Sequence, residues 1–111
     1  MNAVELIDYS VQRFRTIEEY TQRLTTGNVS HLGAMIACYA RNTAEYIEIE
    51  KASEEFVPTP LDSDIIAKTI DWLRDIADLA SRLTSGNVAH MGCTIRGKAI
   101  RCYEYIQKHR V

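Results

Sequence analysis

The sequence predicts an all-α fold: an antiparallel up-down-up-down four-helix bundle built from two tandem helical hairpins. Three observations predict it. First, R-L-T-T-G-N-V-S-H-L-G at residues 23–33 returns as R-L-T-S-G-N-V-A-H-M-G at 82–92, a shift of 59 residues. Between residues 23–47 and 82–106, 13 of 25 positions are identical. Second, apolar residues recur at steps of three and four in every segment, the period of an amphipathic helix. Strand-like alternation appears nowhere. Third, the breaks between periodic stretches carry turn chemistry. The 111 residues suit one domain, with repeat one at 3–52, a linker at 53–61 and repeat two at 62–111.

The first helix shows its stripe at Val4, Ile7, Val11, Phe14, Thr21 and Leu24. Gly27 then breaks the chain, where a left-handed residue ends a helix without a Cβ penalty. Asn28 follows and suits the N-cap of the second helix, whose stripe is Val29, Leu32, Ile36, Ala40, Thr43 and Ile47. Val57-Pro58-Thr59-Pro60 excludes continuous helix. Thr59 caps the third helix, with Pro60 at its first position and Asp62 three residues after the cap. Its stripe is Ile66, Ile70, Leu73, Ala77, Ala80 and Leu83. Gly86 and Asn87 repeat the first turn, and the fourth helix carries Val88, Met91, Ile95, Ala99, Cys102 and Ile106. Helices of about 22 residues are about 33 Å long. Two-residue breaks at Gly27-Asn28 and Gly86-Asn87 make antiparallel hairpins, with both G-N turns at one end of the bundle and the proline linker at the other.

Composition narrows the function. Apolar residues at 46% and charged residues at 25% are ordinary for a globular chain, and a net charge of −2 gives no bulk pull toward nucleic acid or anionic membrane. No apolar run is long enough to span a bilayer. The start, M-N-A-V-E-L-I-D, lacks a basic head and an apolar signal core, which predicts a cytoplasmic protein. Cys38, Cys93 and Cys102 are odd in number and lack C-x-x-C spacing, so neither a disulfide framework nor a metal site is predicted. The fourth helix is locally basic through Arg96, Lys98, Arg101, Lys108 and Arg110. Acids at the same end neutralise it, so nucleic-acid binding is not expected.

Two constellations stand out. His31 and His90 occupy matching first-turn positions after Asn28 and Asn87. With Arg23 and Arg82 they form a candidate small-anion or nucleotide site, since helix starts favour anions. The bland reading gives each imidazole a carbonyl beside its own turn. Gly33 and Gly92 lie inside the apolar stripes and predict close backbone approach. The pattern does not carry a histidine phosphotransfer site, because H-L-G-A and H-M-G-C lack the lysine that follows the histidine there. Nor does it carry the arginine-to-histidine spacing of HEPN-type ribonucleases.

The second constellation is where the repeats diverge. Met35, Tyr39, Tyr46 and Ile49 give the second helix a greasy flank; Ile65, Trp72 and Leu79 do the same for the third. Surplus Tyr, Trp and Met stripes are typical of association surfaces. They predict a homo-oligomer, a dimer first. No nucleophile with an oriented base and oxyanion donor is visible, so no catalytic residues and no cofactor are expected. The reading is a non-enzymatic protein-interaction or regulatory module, with the anion-binding protein as the alternative.

Overall fold

The computed structural model describes residues 1–110, which form four helices and no strand. They are α1 (Ala3–Gln22), α2 (Val29–Lys51), α3 (Pro60–Ser81) and α4 (Val88–His109). No helix is long and apolar enough to cross a membrane.

The linker-end starts are firmly capped. Thr59 Oγ1 accepts from the Asp62 amide at 3.1 Å and the Asp62 carboxylate accepts from the Thr59 amide at 3.2 Å, the box expected from the sequence. Asn2 and Glu5 form the same box on α1, at 2.8 and 3.0 Å. The sequence reading had not named this cap.

The helices are not packed evenly. α2 lies chiefly on α3 and α1 chiefly on α4, while α2 and α4 stand on a diagonal. Contacts join the start of one helix to the end of its neighbour. Gly33 near the start of α2 faces Ala80 and Leu83, and Gly92 near the start of α4 faces Leu24. At the other end Arg110 pairs with Asp8 at 2.6 Å and the Met1 amino group with Glu50 at 3.2 Å. The closest packing therefore runs between the halves rather than within them. Each hairpin relies on the other half to bury its main apolar stripe.

Burial repeats at the same shift as the sequence. Leu6 and Ile65, Phe14 and Leu73, Ile17 and Ile76, Ile36 and Ile95, Ile47 and Ile106 are all fully buried, and each pair is 59 residues apart. Among the described residues four hydroxyls are buried, and Thr21 donates to the Glu18 carbonyl three residues back at 2.6 Å. Ser10, Thr43 and Thr69 each donate to the carbonyl four residues back, at 2.9, 2.7 and 2.8 Å. Back-bonding removes the cost of burying them.

Four expectations need correction. Each G-N break is a six-residue connection, 23–28 and 82–87, not a two-residue one. Gly27 and Gly86 do not adopt the left-handed conformation, because the described residues hold no glycine with positive φ. Asn28 and Asn87 do not cap forward onto α2 and α4; their side chains turn back, as described below. Ile65, expected on a surface flank, is only 1% exposed. α3 touches all three other helices, and a helix with three neighbours buries a wider arc than one stripe.

Candidate functional site

At the turn end, each T-x-G-N sequence closes on itself. Thr25 Oγ1 accepts from the Asn28 amide at 3.2 Å, and Asn28 Oδ1 accepts from the Thr25 amide at 2.8 Å. Asn28 Nδ2 also donates to the Arg23 carbonyl at 2.8 Å. Thr84, Asn87 and Arg82 repeat all three bonds at 3.2, 2.8 and 3.0 Å. This is a capping box one turn ahead of the helix, with asparagine in the place usually held by glutamate. Both asparagine side chains are thus spent on loop structure. Asn28→Ala is expected to cost about 1 kcal/mol, within the range for losing a cap, and Asn87→Ala the same. Urea unfolding of the two single variants and the double variant measures it. The two losses should add, because the loops share no hydrogen-bond partner.

His31 and His90 sit on the diagonal pair of helices, both are exposed, and neither ring makes a hydrogen bond among the described residues. Arg23 is exposed, and Arg82 pairs with Asp78 at 2.7 Å. Among the described residues no group of three or more His, Cys, Asp or Glu is arranged to hold a metal ion.

The divergent flanks lie along two seams. Between α1 and α2, Tyr9 meets Tyr46 at 5.0 Å with the rings tilted by 49°, and Tyr20 meets Tyr39 edge-on at 5.6 Å. The Arg13 guanidinium lies 4.5 Å from the Tyr9 ring and 4.9 Å from the Tyr39 ring. Burial pushes the Tyr9 phenol above its ordinary value, and Arg13 pulls partly against it. Tyr39 and Tyr46, together with Met35 and Leu79, are therefore half-buried within the chain itself.

Between α3 and α4, Trp72 meets Tyr105 edge-on at 5.3 Å, and its ring also meets Phe14 of α1 edge-on at 6.4 Å. His109 stacks on Tyr105 at 4.0 Å. An open cleft of about 190 Å³ remains there, lined by Trp72, Lys98, Arg101, Cys102 and Tyr105. Burial pushes the Cys102 thiol up to about 12; Lys98 and Arg101 pull it down by less, and Asp75 adds to the rise. It stays a thiol at neutral pH and behaves as a small apolar side chain. Sequence reading missed this cleft. Its signal was the replacement of Tyr39 and Asn42 by Lys98 and Arg101 across the 59-residue shift.

The linker end differs in character. Among the described residues the exposed large apolar side chains, Met1, Val4, Ile49, Val57 and Leu61, all lie there. Ile49 is 70% and Val57 83% exposed. Val4 and Leu61 border a cleft of about 460 Å³ with Ile7 in its wall and Asp62 and Arg110 beside it. Of the residues expected at an interface, only Ile49 belongs to this end.

Compared with known proteins, the chain matches no family model, no curated protein and no solved structure.

Proposed function

We propose that this chain is a non-catalytic, cytoplasmic protein-interaction module that docks on a second copy of itself through the linker end. The observation that supports the reading is the confinement of the exposed large apolar side chains to that end. Apolar side chains held in water at one pole gain by burial, at roughly 25 cal/mol per Å². The same end carries both charge signs. Glu5, Glu54, Glu55 and Asp64 are exposed acids; Lys51 and Lys108 are exposed cations. A two-fold mate can set each sign against the other, as a self-complementary interface requires.

The geometry also limits the strength. The Cα envelope measures 45 × 25 × 16 Å. An end face of those two shorter dimensions covers roughly 400 Å², about half of what a standard interface uses per partner. Association through the end alone is therefore weak, in the micromolar range.

Sedimentation equilibrium at increasing concentration tests this. The chain is expected to pass from monomer to dimer below about 0.5 mM, as a micromolar Kd requires. Val57→Asp with Leu61→Asp should hold it monomeric, while Met35→Gln on the α2 flank should leave the dimer intact. A strict monomer throughout the range rejects the reading. A dimer lost only with Met35→Gln moves the interface to the flank.

A further inference from the structure

The two seams occupy matching places in the two halves, so each serves as the reference for the other. In the first seam the Arg13 guanidinium lies across Tyr9 and Tyr39, at 4.5 and 4.9 Å. Fifty-nine residues on, Lys68 stands for Tyr9, Trp72 for Arg13, Lys98 for Tyr39 and Arg101 for Asn42; Tyr105 alone repeats Tyr46. Charge has been turned inside out. A cation among aromatic rings has become an aromatic pair rimmed by cations. No guanidinium crosses the rings of the second seam as Arg13 does in the first, and the cleft of about 190 Å³ stands open there.

The charges around that cleft do not cancel. Lys98 pairs with Asp75 at 3.6 Å, and Lys68, 6.0 Å from the Tyr105 ring, is held by Asp64 at 2.8 Å. Arg101 is exposed and joins no ion pair among the described residues. Its guanidinium folds back over Gly97, 3.2 Å from where a Cβ would stand. Three cations therefore face two acids, and the unmatched one is a planar fork suited to carboxylate or phosphate oxygens.

We propose that this cleft binds a small single-ring aromatic anion. The ring packs against Trp72 and Tyr105, and the acid group meets Arg101 with Lys98 beside it. Size sets the class. A cleft of about 190 Å³ is smaller than the roughly 300–1,000 Å³ of sites for drug-sized ligands, so one ring and its acid group fill it. A cationic ring would find the aromatic faces but meet Arg101 and Lys98 at the rim. The site does not depend on self-association, because its residues lie on the α3–α4 seam and not among the exposed apolar side chains of the linker end.

Trp72 is the only tryptophan in the chain, so its emission reads the cleft directly. Benzoate, benzamide and benzylamine share one shape and differ in charge. Benzoate is expected to change Trp72 emission saturably with a Kd of about 1 mM, reasonable for so few atoms. Benzamide and benzylamine should bind at least about tenfold more weakly, and Arg101→Gln should weaken benzoate about tenfold, the scale of one charge-assisted contact. In that variant the preference for benzoate over benzamide should disappear. Arg101 is exposed, and helicity by circular dichroism checks that the variant is folded. Should it fail to fold, Lys98→Gln reads the same preference. No saturation by about 20 mM benzoate, far above the expected Kd, overturns the proposal. So does equal binding of benzoate and benzamide, or an unchanged preference in the folded variant.

Discussion

Phe14→Ala is expected to lower the free energy of unfolding by about 3–5 kcal/mol, the usual cost of truncating a fully buried aromatic side chain. Phe14 is 0% exposed and lies where α1 faces α3 across the core, with Trp72 edge-on at 6.4 Å. A domain of this size has about 5–15 kcal/mol of stability in all, so the loss is a large share of it. At roughly 4 °C or more per kcal/mol, the melting temperature should fall by about 12 °C or more. Thermal unfolding followed by circular dichroism gives the figure, and a red shift of Trp72 emission localises the cavity. A loss under about 1.5 kcal/mol would mean that neighbouring side chains collapse into the space, which close-packed cores rarely allow.

The second large effect comes from the glycine at the start of α2. A Cβ on Gly33 would lie 3.3 Å from both Cβ and Cδ1 of Leu83 and 3.5 Å from the Ala80 carbonyl oxygen. Leu83 Cβ is fixed to its backbone and cannot swing away. Gly33→Leu is therefore expected to push α2 off α3 and cost about 1–3 kcal/mol or more. Gly92 is the matching position but not the matching environment. Its added Cβ would meet only Leu24 Cδ1, at 3.4 Å, the free tip of a flexible side chain. Gly92→Ala should gain much of the roughly 1 kcal/mol of helix propensity that separates alanine from glycine. Gly33→Ala should come out near neutral, because the same gain is offset by the contact with Leu83. Denaturant unfolding of the three variants orders them. If Gly92→Ala destabilises as much as Gly33→Leu, close backbone approach is equal on both sides and the contrast drawn between them is wrong.

Much of the architecture was legible along the chain. The steps of three and four that run through Ile7, Val11 and Phe14, and through Ile66, Ile70 and Leu73, mark residues that are all buried. The Thr59–Asp62 box was readable because a cap depends on residues three apart, with no tertiary partner needed. The turns were misread for the opposite reason. T-x-G-N satisfies two local grammars, a glycine stop and a threonine-asparagine box. Only the backbone path shows that the second wins, at Thr25–Asn28 and again at Thr84–Asn87. The candidate anion site drew its residues from one end of the chain's repeat, but helical phase faces His31 and His90 outward from a diagonal pair of helices.

The sequence by itself determined four helices, where the third of them is capped, and which stripe of each seeks the interior, because period and capping are properties of neighbours along the chain. The tertiary structure alone decided which helices clasp. It set α2 on α3 and α1 on α4, closed the Tyr9–Arg13–Tyr39 seam, opened the one at Trp72, and left Ile49 and Val57 in water. Those outcomes depend on how much space stands between side chains from different helices. An amphipathic stripe states that it must be covered and does not name the surface that covers it.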